Sequence, residues 1–140
     1  MNLIVDASIV IKWLVAEDDS DAALLIRTEN DIAAPDLLLI ECRNALLNKL
    51  RRNELQLAEA QNAERAIQAM GIDVFSSTPL LPRAFAIALD LTVPIYDCIY
   101  LAAAIATDRK LITADRRFAA VVAKSAVGYE RIELLNTAVP

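Results

Sequence analysis

Short apolar runs recur along the chain and are separated by segments of helical composition. They predict five strands, over residues 3–5, 31–34, 72–75, 110–113 and 131–135. Runs this short and rich in β-branched residues fit strands covered on both faces better than helices. Strands that alternate with helices predict a mainly parallel sheet between two helical layers, which is a three-layer α/β/α sandwich.

The segments between these runs favour helices by composition and by their capping residues. The predicted helices cover residues 9–17, 19–28, 36–53, 54–70, 80–91, the stretch from Pro94 and Tyr96 to Ala106, and 116–126. Gly71 suits a helix C-terminus, and the tail beyond residue 135 is expected to be loose. No repeat or linker interrupts the pattern, which predicts one domain over residues 1–140.

What the chain lacks excludes several classes of enzyme. There is no histidine, so serine or cysteine triads with an imidazole base are excluded. With only two glycines, neither a GxGxxG motif nor a Walker loop can be formed. Chemistry must therefore use carboxylates, hydroxyls, lysines or a bound metal. Cys42 and Cys98 lie in apolar stretches, as expected for small buried thiols.

The longest unbroken apolar run has nine residues, 98–106, whereas a membrane-spanning helix needs about 20. No basic-then-apolar leader of signal-peptide length opens the chain. Hydrophobic residues make up 56%, which favours a well-filled interior over disorder. We expect a soluble cytoplasmic protein that does not act on a membrane.

Four acidic residues stand where an ionised group needs a partner. Asp6 and Asp115 follow two predicted strands, and ligands of parallel sheets bind beyond such strand ends. Glu41 and Asp97 lie within apolar helical segments. Each also fits an ordinary role taken alone, because aspartates commonly cap helices and Glu41 suits the exposed face of an amphipathic helix.

If the fold brings these four carboxylates together, their mutual repulsion requires a cation. Two unit charges about 4 Å apart repel by roughly 4 kcal/mol at an effective dielectric near 20. Oxygen ligands suit Mg²⁺ or Mn²⁺, which activate water and stabilise charge on a phosphodiester. Ser8 and Thr113 would support the carboxylates through their hydroxyls, and Asn44 shares a helical face with Glu41.

The net charge of −5 counts against a nucleic-acid partner, because phosphate neutralisation drives such binding. Local clusters of cations stand against this total, at residues 49–52, 109–110 and 116–117. Cations near a helix C-terminus also offset its dipole. The clusters therefore fit either a binding surface or a solvated face.

Four segments, VDASIVIKWL, PDLLLIECRNAL, PIYDCIYLAAA and LITADRRF, closely resemble in order the four motif regions of PIN-domain ribonucleases, in particular VapC-type toxins of bacterial toxin–antitoxin pairs. The resemblance extends from residue 3 to about residue 118. It implies a PIN-like fold with a catalytic Mg²⁺ or Mn²⁺ site of Asp6, Glu41, Asp97 and Asp115. Ser8, Asn44 and Thr113 would form the polar surroundings of that site.

The resemblance also implies cleavage of single-stranded RNA, a homodimer, and neutralisation by a small antitoxin protein that presses a side chain, often basic, into the acidic pocket. The candidate RNA contacts are Lys49, Arg51, Arg52, Arg116 and Arg117.

Rival enzyme and signalling classes fit less well. A receiver-type domain needs adjacent acids early in the chain, and a haloacid-type phosphatase needs an aspartate where Ser8 stands. A non-catalytic PIN-like module that binds RNA or a protein remains an alternative.

Overall fold

A computed structural model describes residues 2–126 and 128–138 and contains one five-stranded sheet. The strands are β1 (Asn2–Val5), β2 (Asp31–Pro35), β3 (Asp73–Phe75), β4 (Lys110–Thr113) and β5 (Ile132–Leu134). Every pair is parallel, in the order β3-β2-β1-β4-β5. This confirms the predicted α/β class and the parallel sheet.

Eight α-helices accompany the sheet within the described residues. They are α1 (Ala7–Leu14), α2 (Ser20–Glu29), α3 (Leu37–Arg51), α4 (Leu57–Ile67), α5 (Leu81–Leu91), α6 (Ile95–Ala106), α7 (Arg116–Ala123) and α8 (Leu135–Ala138). Short 3₁₀ turns cover Thr78–Leu80 and Tyr129–Arg131.

The strand order reverses direction between β1 and β4. The chain moves from β1 through β2 to β3 on one side, and then crosses back to place β4 and β5 on the other. Because parallel crossovers are right-handed, α1 to α4 cover one face of the sheet, and α5 to α7 cover the other. Leu3 is aligned with Lys110 and Val5 with Ile112, so the carboxyl ends of β1 and β4 lie side by side. A crevice at this reversal is where open parallel sheets bind ligands.

Helix α6 is the most deeply buried helix. Residues 98–104 are all buried, and the helix packs against β1, β2 and β4. A helix covered on all sides needs no polar face, which explains its uninterrupted apolar sequence. Asp97 therefore directly precedes the continuous buried apolar stretch of α6.

Several predicted helix boundaries were wrong. Helix α1 ends at Leu14 and not at residue 17, because Val15 is extended. Helix α4 begins at Leu57 and not at residue 54, since Asn53 has a positive φ of 59° and forms a turn. It ends at Ile67 with its cap at Gln68, so Gly71, at φ 72°, lies beyond the helix end and is not its cap.

The C-terminal part of the chain also differs from the prediction. Helix α7 ends at Ala123 and not at residue 126. The last strand ends at Leu134, and Leu135 begins α8 with a side chain only 2% exposed. The prediction of a loose tail beyond residue 135 was wrong for residues 136–138, and residues 139–140 lie outside the described part.

None of the described helices has, by itself, the length and hydropathy of a membrane span. The segments Thr78–Leu91 and Ile95–Ala106 meet that test only when taken together, and they meet at an angle of 119°.

Candidate active site

Asp6 lies at the junction of β1 and α1, with its side chain almost completely buried. Its Oδ1 atom accepts hydrogen bonds from Ser8 Oγ at 2.5 Å and from the Ile9 backbone N–H at 3.4 Å. Its Oδ2 atom accepts one from Thr113 Oγ1 at 2.5 Å. Asp6 is thus the N-terminal cap of α1, and both of its oxygens are oriented by donors.

The two hydroxyls that hold Asp6 are themselves oriented by backbone groups from the end of β4. The Ala114 N–H donates to Ser8 Oγ at 2.9 Å, and the Asp115 N–H donates to Thr113 Oγ1 at 3.0 Å. Each hydroxyl therefore accepts from the backbone and donates its proton to the carboxylate. The predicted supporting residues Ser8 and Thr113 join the adjacent ends of β1 and β4.

Asp115 caps α7. Its Oδ1 atom accepts a hydrogen bond from the Phe118 N–H at 3.0 Å. A capping carboxylate uses one oxygen and keeps further lone pairs available. Asp115 therefore caps α7 and still has lone pairs available to act in the site.

Glu41 has a partner that the sequence did not identify. Tyr100 is 1% exposed, and its hydroxyl donates to Glu41 Oε1 at 2.6 Å. Glu41 lies on α3 and Tyr100 on α6, three residues after Asp97. The spacing places Tyr100 on the same helical face as Asp97, which is the only sign in the sequence of its position near the acids.

Asp97 lies in the first turn of α6, where Pro94 and not Asp97 occupies the N-cap position. Burial is the main reason that its pKa is raised to about 6, and the charges of Asp6 and Asp115 add to the rise. Within the described residues, no cation lies at ion-pair distance from Asp97 or from the other three acids. Among the residues that the structure describes, Asp97 therefore has no ion-pair partner.

The pKa values show that the four acids share one electrostatic environment. Burial raises the pKa of Asp6 to about 6 despite its hydrogen bonds from Ser8 and Thr113, and the charge of Glu41 contributes. Burial, together with the charge of Asp97, raises the pKa of Glu41. Because each acid perturbs at least one other, residues distant in sequence form a single cluster.

The donor chemistry of this cluster fits a hard divalent cation, since every ligand offered is a carboxylate oxygen and no cation of residues 2–126 and 128–138 forms an ion pair with it. The side chains are not closed around a point: no three His, Cys, Asp or Glu side chains of residues 2–126 and 128–138 are arranged to hold a metal ion. The hydrogen bond from Tyr100 holds Glu41 in its present position.

A groove of about 300 Å³ opens next to Ser8 and Ala114. Two of the predicted RNA contacts, Lys49 and Arg52, line it. It also contains Asn48, which the sequence places on the same helical face as Glu41, and two charged residues that the sequence did not single out, Lys12 and Glu17. These residues come from separate elements, so only the fold reveals that they share a surface.

The remaining predicted residues lie outside this groove. Arg51, Arg116 and Arg117 are exposed, and none of them lines it. Asn44 is also exposed, and its place near the acids stays a prediction. The two cysteines are buried free thiols, as predicted.

The chain matches known proteins over nearly its whole length. The family model described as PIN domain matches residues 3–124. Ribonuclease VapC3 of Pyrobaculum aerophilum is 34% identical over 122 residues, which cover 85% of this chain and 93% of that protein. The crystal structure of PAE2754 from Pyrobaculum aerophilum has a TM-score of 0.70 at 22% identity, covering 99% of this chain and 86% of that chain.

A toxin–antitoxin complex from Klebsiella pneumoniae includes a chain with a TM-score of 0.66 at 13% identity, covering 95% of this chain and 97% of that one. These two structural similarities concern the fold, whereas the family match and the 34% identity concern descent. On those two findings, the chain belongs to the PIN-domain family.

Proposed function

We propose that this protein is a metal-dependent endoribonuclease, the toxin of a toxin–antitoxin pair, which hydrolyses RNA phosphodiester bonds. The observation that carries the proposal is the cluster of four uncompensated carboxylates at the adjacent ends of β1 and β4. Membership of the PIN family and a relative named as a ribonuclease support it.

The proposed ligands of Mg²⁺ or Mn²⁺ are Asp6, Glu41, Asp97 and Asp115. When bound, such an ion activates water and stabilises negative charge on phosphate. Ser8 and Thr113 orient Asp6 by hydrogen bonding to its ionised form, and Tyr100 restrains Glu41. With a pKa of about 6, Asp97 is ionised at neutral pH and able to take part in binding a cation.

The test is cleavage of a mixed cellular RNA pool by the purified protein, freed of any antitoxin, in Mg²⁺, Mn²⁺ or EDTA. We expect discrete fragments that require metal and disappear in Asp97→Asn. Asp90→Asn is the matched control, because it makes the same change at an exposed site on α5. Cleavage that persists in EDTA or in Asp97→Asn would contradict the site assignment.

We also propose a small antitoxin that presses a basic side chain into the acidic cluster. The toxin–antitoxin complex with a similar fold supports a partner of this kind. Uncompensated carboxylates favour a cationic group electrostatically. The protein encoded alongside should inhibit cleavage, and its affinity should fall in Asp97→Asn but not in Asp90→Asn.

The alternative is a module that binds RNA or protein without cleaving it. One observation favours it: the described carboxylates are not closed around an ion, and Glu41 is engaged by Tyr100. A metal-induced rise in melting temperature without any RNA fragments would support this alternative.

A homodimer is part of the proposal as well. Helix α5 presents Leu81, Phe85 and Leu89 to solvent at intervals of four residues, with exposures of 40%, 50% and 69%. Three large apolar side chains aligned on one exposed helical face fit a second apolar surface better than water.

A further inference from the structure

The groove beside the acidic cluster is lined on one side by α3. Glu41 and the groove residues Ala45 and Asn48 follow one another at helical intervals along this helix, so they share a face, and Arg52 follows as the helix C-cap. Lys49 is separated from Glu41 by a rise of about 12 Å along the helix axis. Helix α3 therefore carries a carboxylate of the cluster, and two of the three groove cations, Lys49 and Arg52, lie at its C-terminal end.

The groove is basic although the whole chain is acidic. Its charged lining residues are Lys12, Lys49 and Arg52 against one carboxylate, Glu17. The cations come from α1, from α3 and from the residue after α3, and they line the same groove as Ser8. Phosphates of an RNA strand that passes the acidic cluster would meet positive charge here.

Two glutamates already form ion pairs with these cations. Glu17 contacts Lys49 and lies 3.6 Å from Lys12 Nζ. Glu54 lies 3.2 Å from Arg52 Nε and 3.6 Å from Lys49 Nζ. Lys12 and Lys49 are only 12% and 15% exposed, whereas Arg52 is 62% exposed. Phosphate oxygens would bind the same ammonium and guanidinium groups as these carboxylates.

We propose that this groove holds the RNA backbone next to the cleavage site, and that Glu17 and Glu54 compete with phosphate for its cations. The two glutamates thereby weaken the hold on RNA. The inference rests on the proposed ribonuclease function and adds a path for the substrate and a built-in limit on its affinity. Arg51, Arg116 and Arg117, which lie outside the groove, contribute less to binding.

Helix stabilisation alone explains part of this arrangement, since Lys12 and Lys49 lie in the last turns of α1 and α3. That role predicts no effect of Glu17 or Glu54 on RNA binding. Competition predicts that removing either carboxylate strengthens binding. The sign of the change therefore separates the two explanations.

The experiment measures the affinity of the full chain for a fluorescently labelled single-stranded RNA of mixed sequence, in EDTA, across a series of salt concentrations. The variants are Arg52→Ala, Glu17→Gln and Glu54→Gln. Arg83→Ala and Asp90→Asn make the matched charge changes on α5, at exposed positions away from the groove. Glu54 has a side chain 46% exposed, so its variant tests the competition even if Glu17→Gln fails to fold.

Each phosphate contact on a single strand contributes about 0.7 to the slope of log K against log salt, which corresponds to roughly fivefold in affinity at 0.1 M salt. Arg52→Ala should weaken binding by about that factor and reduce the slope by about 0.7. Glu17→Gln and Glu54→Gln should strengthen binding and steepen the slope by similar amounts. The two α5 variants should stay within twofold of the unchanged protein.

Equal weakening in Arg52→Ala and Arg83→Ala would overturn the groove assignment, because it would reflect net charge alone. Unchanged or weaker binding in both Glu54→Gln and a folded Glu17→Gln would overturn the competition. A groove that serves a protein partner would leave RNA affinity unchanged in every variant. Because binding is measured without metal, failure of the inference is distinct from failure of RNA cleavage by the unchanged protein in Mg²⁺ or Mn²⁺.

Discussion

At the scale of single residues, burial and mutual repulsion raise the pKa values of three carboxylates of the site, Asp6, Glu41 and Asp97. Asp6 is fully supplied with hydrogen-bond donors, yet desolvation outweighs those bonds and raises its pKa. Such groups destabilise the folded protein when they are ionised without a cation. The same property makes the cluster receptive to a metal ion.

The metal-free protein should lose stability as pH rises from about 4 to about 6. The pKa values of Asp6 and Asp97 are raised from 3.8 to about 6, so the folded state binds more protons than the unfolded state in this window. The free energy of unfolding should fall by about 2–3 kcal/mol from Asp6, and by less from the more exposed Asp97. Urea denaturation in EDTA at pH 4, 5, 6 and 7 measures this, and a rise over that range would contradict it.

Saturating Mn²⁺ should reverse this trend above pH 6, because deprotonated carboxylates bind the ion and the ion stabilises the folded state. The melting temperature at pH 7 should rise with Mn²⁺ in the unchanged protein and in Asp90→Asn. It should rise much less in Asp97→Asn. Equal increases in all three would show that the ion binds elsewhere.

Tyr100→Phe should lower the free energy of unfolding by about 1–2 kcal/mol, because it removes a hydrogen bond to a half-buried carboxylate. Tyr96→Phe is the matched control, since Tyr96 lies on the same helix with 57% exposure. Urea denaturation at pH 7 measures both. Equal effects of the two changes would mean that the bond to Glu41 contributes nothing to stability.

The thiols of Cys42 and Cys98 should react only when the protein opens. Burial raises their pKa values to about 12 and about 11, so thiolate is scarce at neutral pH. Labelling with a thiol reagent at pH 7 should be slow in native protein and fast in denaturant. Rapid native labelling of either cysteine would contradict its buried position.

At the scale of elements, strands were predicted better than helix ends. Strand β4 has the predicted bounds, because its buried run Leu111–Thr113 follows the exposed Lys110 and is followed within two residues by the helix cap Asp115. Helix ends depended on single backbone conformations, such as the positive φ of Asn53. Local composition favours a helix on both sides of that turn and gives no sign of the turn itself.

Gly128→Ala should destabilise the protein more than Gly71→Ala. Both glycines have positive φ, which costs another residue about 1 kcal/mol or more. Only at Gly128 would a Cβ meet packed side chains, at 3.2 Å from Leu101 Cδ1 and from Ile105 Cδ1. Thermal melting of both variants measures the difference. Equal losses of melting temperature would mean that Leu101 and Ile105 of α6 move to accommodate the added methyl group.

At the scale of the whole molecule, general rules of parallel sheets predicted the positions of only two of the four acids, and the grouping of Glu41 and Asp97 with them rested on the resemblance to PIN-domain ribonucleases. Acids at strand ends predicted the location of Asp6 and Asp115. The bond between Glu41 and Tyr100 joins residues from opposite faces of the sheet, and no local pattern encodes it. The basic groove depends in the same way on the meeting of α1 with α3.

Phe85→Glu should convert the proposed dimer to a monomer, because it places a charge in the middle of the exposed apolar face of α5. Leu24→Glu is the control, an equivalent change at an exposed leucine on α2. Light scattering after size exclusion gives the mass of each variant. Dissociation by both changes, or by neither, would exclude α5 as the interface.

Helix α3 also fixes the distance between the acidic cluster and part of the basic groove. It joins Glu41 of the cluster to the groove cations Lys49 and Arg52 through continuous helix, so no hinge changes the spacing between them. One extra residue between Ala45 and Asn48 would turn everything downstream by about 100° and carry the cations out of line with the cluster. Under the RNA-binding role proposed for the groove, an insertion in this helix should therefore weaken RNA binding, whereas an insertion in a surface loop would leave these cations in place.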